Sequence, residues 1–209
     1  MTRQRISLFP LGGAVLYPGL QLPLHIFEPR YCAMVSDSLA RDRMIGMIQP
    51  REGERPGADK PALFEIGCIG RIAEIEALDD GRYNLILEGK SLFRLIRELD
   101  APTLFRQAEG DLIAPRANEA LAAVERAALD NEARRFAAWL GYRVDWDGIA
   151  QLDDVTLVNA MAQIAPFDVA AKQALLETAT INERAELLMQ LMRFATSQRG
   201  PDDNRATLQ

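Results

Sequence analysis

Histidine is almost missing from this sequence: His25 is the only one in 209 residues. Cysteine is nearly as scarce, with Cys32 and Cys68 far apart in the chain. Zinc sites draw their ligands from clustered Cys and His, so neither a metal nor a cofactor is expected. The two thiols read instead as small buried hydrophobes. A Gly-x-x-x-x-Gly-Lys-[Ser/Thr] phosphate loop is absent, and so is any apolar run near the ~20 residues that cross a bilayer. Arg3 and Arg5 are not followed by a long apolar stretch, so no signal peptide and no membrane association are expected, and the cytoplasm is the expected location. No basic run appears either, and the formal charge is −6. Nucleic-acid binding rests on clustered Lys and Arg, so that class of partner is disfavoured.

What the chain does hold is ordinary for a globular protein, 48% apolar and 26% charged, with enough length for one large domain or two small ones. Its most informative stretch runs from Leu8-Phe9-Pro10-Leu11 through Leu16-Tyr17-Pro18-Gly19 to Leu24-His25-Ile26-Phe27-Glu28-Pro29-Arg30-Tyr31. Prolines and a glycine punctuate short apolar runs there. Ile6–Phe9 reads as a strand stopped by Pro10, and Val15–Tyr17 as a second, closed by the Pro18-Gly19 turn. Gln21–Phe27 reads as a third, and Pro23 inside it marks an edge or a bulge. The period then changes. Pro29 suits a first helical position, Glu28 brings negative charge to the positive end of the dipole, and Tyr31, Met34, Val35, Ser38 and Leu39 form an apolar stripe with one polar member. A helix from Pro29 to Ala40 follows.

Met44–Ile48 is compact and apolar, a buried strand. Residues 51–61 are charged and rich in Gly and Pro, a surface loop. A meander comes next: Ile66–Leu78, an Asp80-Gly81 hairpin turn, Tyr83–Glu88, a second turn at Gly89-Lys90, then Ser91–Leu99 with Phe93 and Leu95 on the inward face. Leu104–Ile113 closes the sheet and removes exposed edges. Beyond Pro115 the pattern is helical. Helices are expected over Asn118–Leu140 with Gly141 as the stop, over Val155–Ala165 capped by Asp153 or Asp154, over Val169–Thr178 capped by Asp168, and after the capping box Thr180-Ile181-Asn182-Glu183. The expected organisation is α+β: a β pseudo-barrel over 1–113, a four-helix subdomain over 114–197, and a flexible polar tail over 198–209.

The chemistry-bearing residues are few. His25 could act as a base, alone or with Cys32, which lies at a helix start where a thiolate is stabilised. The alternative is a packed or hydrogen-bonded histidine. Glu28 and Arg30 could meet a partner, or tie the helix start to the barrel by ion pairing, with Tyr31 as the apolar plug beneath them. Met34, with the other methionines, could offer an adaptable peptide-binding surface or be plain core. Glu74 and Glu76 share a strand face near Asp79 and Asp80, an acidic face that is either solvated or chemical.

Leu8-Phe9-Pro10-Leu11, Leu16-Tyr17-Pro18-Gly19, Leu22–Glu28 and Arg30-Tyr31 are joined by Gly67-Cys68-Ile69-Gly70, Asp80-Gly81-Arg82-Tyr83, Leu87-Glu88-Gly89 and Lys172–Glu177. With these blocks in order, the chain resembles the N-terminal domain of the Lon protease family, the LON substrate-binding domain. The resemblance implies a PUA-like pseudo-barrel followed by helices. It also implies recognition of unfolded or degron-bearing polypeptides, or docking to a protein partner. Glu28, Arg30, Tyr31 and Met34 are the candidate contact residues, and an apolar groove between barrel and helices is the expected seat of a peptide. Without a phosphate loop or room for a Ser–Lys peptidase domain, the expectation is a free-standing domain that binds rather than cleaves. The rival readings are a small hydrolase using His25 and an RNA-binding PUA-like module.

Overall fold

The computed structural model of the chain describes residues 3–51, 60–114, 116 and 119–198. These fall into two compact units, one built from the described part of 1–116 together with 168–177, the other from the described part of 117–167 and 178–209.

The first unit is a six-stranded sheet curled on itself. Its strands are β1 (Arg3–Pro10), β2 (Gln21–Ile26), β3 (Met44–Ile48), β4 (Ile66–Ala77), β5 (Tyr83–Leu99) and β6 (Gln107–Ile113), with the helix α1 (Pro29–Leu39) between β2 and β3. The order is β2-β5-β4-β3-β1-β6, and β6 also pairs with β5. That second pairing closes a five-stranded ring. β5 makes it possible by its length: Tyr83–Glu88 pairs with β2, while Leu92–Leu99 pairs with β6. Among the described strands, only the pair β1 and β3 runs parallel. β2 stands outside the ring as an edge strand, where the missing N–H of Pro23 is tolerated.

The interior of the ring is set by strand periodicity. Ile6 and Leu8 of β1, Ile69 of β4, Ala108 of β6 and Phe93 of β5 point into one cluster. Phe93 is wholly buried, at 0% exposure. Glycines surround its ring. A Cβ at Gly67 would lie 2.7 Å from the ring, at Gly110 3.1 Å and at Gly46 3.3 Å. Any larger residue there would collide with the ring or with its neighbours, so the aromatic plug and the three small positions are one packing solution.

A second cluster lies on the outer face, where α1 packs on β1 and β3 through Tyr31, Met34 and Val35 against Phe9, Ile45 and Met47. Val15–Tyr17 joins it. These residues are buried as expected but do not form a strand. Turns at Gly12-Gly13 and Pro18-Gly19 bracket them, and the segment lies over the sheet as a lid. A Cβ on Gly89 would stand 2.0 Å from the Tyr17 carbonyl oxygen. That contact also corrects the turn expected at Gly89-Lys90. β5 runs straight through, with Gly70 opposite Gly89 and Ile69 opposite Ser91, so Lys90 is a bulge. The glycine is there for close approach. The Asp80-Gly81 hairpin stands as expected, with Gly81 at φ 83° and Leu78 N–H donating to the Arg82 carbonyl at 2.9 Å.

In the second unit are α2 (Ala123–Leu140), the short α3 (Trp146–Ala150), α4 (Asp154–Ile164) and α6 (Ile181–Gln198), while α5 (Val169–Glu177) belongs to the first. Five helices thus follow residue 116 among the described residues, not four. The sequence expectation lacked α3, whose Asp145 side chain accepts from Gly148 N–H. α2 begins at Ala123, later than expected, with Glu125 accepting from the Ala122 N–H at 2.9 Å. It ends at Gly141, φ 73°, with Tyr142 N–H on the Ala137 carbonyl and Gly141 N–H on that of Ala138, a Schellman closure. Asp153, not Asp154, caps α4 through Thr156 N–H at 2.9 Å. Asp154 instead holds Arg126 at 2.5 Å. At α6 the capping box is complete, Glu183 N–H on Thr180 Oγ1 and Thr180 N–H on Glu183, each at 3.2 Å. Gln198 is the last residue of α6, and the tail expected beyond it lies outside the described residues.

The placement of α5 has a polar cause. Gln49 at the end of β3 donates to Gln173 Oε1 at 3.0 Å and to the Val169 carbonyl at 3.2 Å, and accepts from Gly13 N–H. Gln173 donates to the Ile66 carbonyl at 3.1 Å. Both glutamines are buried, so each unmade bond would be costly. A contiguous division near residue 113 therefore misses the piece of late sequence that belongs to the sheet. No described helix is long and apolar enough to cross a membrane.

Emptying the ring tests this core. Phe93→Ala should lower the unfolding free energy by about 3–5 kcal/mol in urea titration, and a loss below about 1 kcal/mol would show that the ring is not filled by this side chain.

Candidate functional site

The corner where β2 turns into α1 holds the residues singled out by sequence. Glu28 is extended (φ −72°, ψ 133°), and its carbonyl accepts from the N–H groups of Tyr31 and Cys32, both at 2.9 Å, which starts the helix. Its carboxylate makes no cap bond. It grips Arg30 instead, 2.7 Å from Nη2 and 2.9 Å from Nε. The Arg30 guanidinium lies 4.5 Å from the centre of the Tyr31 ring. That ring is 7% exposed, meets Phe9 edge-on at 4.7 Å, and donates its hydroxyl to the Pro10 carbonyl at 3.3 Å. Burial raises the phenol above its ordinary value.

The structure therefore brings Glu28, Arg30 and Tyr31 together. Met34 must be withdrawn as a contact residue: at 0% exposure it is packed in the outer-face cluster and offers nothing to a partner. Met47, Met161 and Met192 are buried too, so these methionines are core. One apolar residue of the corner escaped the sequence reading. Phe27 is 62% exposed, directly before Glu28, and stacks on the His25 ring at 6.1 Å between centroids. Its place after an alternating edge strand, on the same face as Pro23 and His25, was the available signal.

His25 sits in a chain of hydrogen bonds across three strands. Nδ1 lies 2.7 Å from Asn84 Oδ1, Asn84 Nδ2 donates to Glu76 at 3.0 Å, and Arg82 Nη1 approaches His25 Nε2 at 3.3 Å. Asp80 takes the other side of Arg82 at 2.6 Å, and that bond holds its carboxyl below the ordinary value. Every member has a partner when Nδ1 carries the proton. Cys32 is not in this chain; its thiol points to the Ile26 carbonyl at 3.8 Å. His25 thus matches the hydrogen-bonded reading, with an amide and a guanidinium beside it instead of a nucleophile.

Strand pairing places these residues in rows. Pro23, Ile86 and Glu74 form one row across β2, β5 and β4; His25, Asn84 and Glu76 form the next. Along them runs an open groove of ≈ 520 Å³ lined by Pro23, His25, Glu74, Glu76, Asn84 and Ile86 together with Leu24, Ile75 and Leu85. Glu74 and Glu76 share a face as the alternation predicted. Among the described residues no three His, Cys, Asp or Glu side chains come together as metal ligands.

With this geometry, known proteins can be compared. The sequence profile described as the ATP-dependent protease La (LON) substrate-binding domain matches residues 5–193. Lon protease 2 of Myxococcus xanthus is 23% identical over 194 residues, covering 90% of this chain and 23% of that protein. The Lon protease of Escherichia coli K12 is 26% identical over 199 residues, 91% of this chain and 25% of that protein. Among solved structures, the Lon N-terminal domain protein from Xanthomonas campestris superposes with a TM-score of 0.67 at 22% identity, covering 90% of this chain and 98% of that one. The N-terminal domain of Mycobacterium avium complex Lon protease gives 0.68 at 17% identity, covering 91% and 98%. The fold is that of Lon N-terminal domains. The chain belongs to the LON substrate-binding domain family, as the sequence blocks implied, and spans about a quarter of the length of these curated relatives.

Cys68 gives a sharp test of the core behind this face. Burial pushes its thiol from an ordinary 9.0 to about 12. The folded value lies above the unfolded one, so its contribution is complete below pH 9 and is lost as pH rises toward 12. Between those limits the unfolding free energy should fall by up to ~1.4 kcal/mol per pH unit from this group. Chemical denaturation across that range should show a shallower slope in Cys68→Ala.

Proposed function

We propose that this chain is a polypeptide-recognition module: it binds exposed segments of unfolded or degron-bearing polypeptides, or a protein partner, and serves ATP-dependent proteolysis without performing chemistry itself. The observation that carries this reading is membership, over residues 5–193, of a family described by substrate binding. The relatives are named Lon proteases, and this chain corresponds to about a quarter of each. The geometry agrees with a binding role. His25 is engaged by Asn84 and Arg82, and the Cys32 thiol points to the Ile26 carbonyl, so the two are not set up as a nucleophile–base pair. The corner of Phe27, Glu28 and Arg30, above the buried Tyr31, joins an exposed aromatic to an ion pair, a combination suited to a peptide side chain. The place of action is the cytoplasm in this reading. Ordering a flexible client costs free energy, so single-segment affinity is modest.

Isothermal titration with a permanently unfolded test protein and with its folded form checks the proposal. Heat should appear with the unfolded form alone. Silence with both would remove polypeptide recognition.

A further inference from the structure

The groove across β2, β5 and β4 has a chemical bias that the family description does not contain. Its apolar members are Pro23, Leu24, Ile75, Leu85 and Ile86; Pro23 and Ile86 lie in one row across β2 and β5, and Phe27, outside the lining, stacks on the His25 ring. Its formally charged members are Glu74 and Glu76, and among the described residues no Lys or Arg lines it. The nearby charges are already engaged: Asp80 with Arg82 at 2.5 Å, and Glu88 with Lys90 at 2.5 Å. Glu76 accepts from the amide of Asn84, and among the described residues neither Glu74 nor Glu76 is in an ion pair. Asn84, itself bonded to His25, donates to the exposed Glu76 carboxylate at the groove wall.

We propose that this groove takes an extended polypeptide segment in which an apolar side chain neighbours a lysine or arginine. The apolar side chain packs on Ile86, Pro23 and Phe27, and the cation reaches Glu74 and Glu76. The exposed aromatic and the isoleucine supply contact area, and the two carboxylates supply selectivity for basic over acidic segments. This assignment rests on the polypeptide-binding reading and deepens it by naming the segment chemistry and the surface.

The test uses the whole chain and two labelled peptides of equal length, both otherwise Gly and Ser. One carries Leu–Lys pairs, the other Leu–Glu pairs. Anisotropy titration should show the Leu–Lys peptide binding roughly tenfold more tightly than the Leu–Glu peptide. The double substitution Glu74→Gln with Glu76→Gln should weaken the Leu–Lys complex by roughly three- to tenfold, because each carboxylate is a partly exposed partner. It should leave the Leu–Glu complex no weaker, and the melting temperature should stay close to that of the parent because both carboxylates are exposed. A second double substitution, Asp147→Asn with Glu186→Gln, removes the same formal charge from exposed positions on α3 and α6 and should leave Leu–Lys binding unchanged. Equal binding of the two peptides overturns the proposal. So does an effect of the distant pair as large as that of the groove pair. In either case, continued binding of an unfolded protein would leave polypeptide recognition standing at another surface. Absence of binding by both peptides and by the unfolded protein would remove both readings.

Discussion

One aromatic ring organises the sheet. Phe93 fills the interior, and Gly46, Gly67 and Gly110, on β3, β4 and β6, are the points at which the wall comes close enough to touch it or nearly so. Without that fit β6 could not return to β5, because the same strand that supplies the plug also supplies the closing hydrogen bonds, from Leu92 to Leu99. Closure leaves β2 as the strand outside the ring. Its edge position follows from how β5 is divided, and the outer face that carries His25 and Pro23 exists because the first half of β5 is free to pair with it. A packing constraint in the interior thus decides which surface is left open to solvent.

The second organising contact is polar. Gln49 and Gln173 sit 124 residues apart in sequence and bond directly while buried. Side-chain amides can satisfy several main-chain groups at once, and this pair reaches Gly13, Ile66 and Val169. It joins a turn, two strands and a helix with few atoms. Hydrophobic packing alone would not select that register, since apolar contacts tolerate sliding and amide bonds do not.

The parts of the fold legible in sequence are those with local causes. Pro29 started α1, Gly141 ended α2, Asp153, Asp168 and the Thr180–Glu183 box capped α4, α5 and α6, and Asp80-Gly81 turned the hairpin. What escaped depends on distant partners. Val15–Tyr17 has strand-like composition, but its neighbours are glycines whose contacts turn it into a lid. Gly89 looks like a turn residue until the Tyr17 carbonyl is placed against it. Met34 has the spacing of a stripe that could face outward or inward, and only packing against β1 and β3 decides. Of the candidate contact residues, Glu28, Arg30 and Tyr31 were legible together because Pro29 marks the helix start beside them. The row of His25, Asn84 and Glu76 could not be, because it needs the pairing of three strands.

The pairing of β1 with β3, parallel, and with β6, antiparallel and about a hundred residues later, bears on how the chain is made. The Arg5 side chain is bonded to Gln107, and Gln49 waits for Gln173. A ribosome adding ~5–20 residues per second therefore presents β1 seconds before its last partner exists. Between residue 113 and residue 177 the sheet has all its strands but not the helix that satisfies Gln49. High sequence separation of this kind slows closure. Before β6 has been made, Ile6 and Leu8 of β1 lack the strand that completes their cover, and the nascent chain itself carries the kind of apolar segment that polypeptide-binding proteins take.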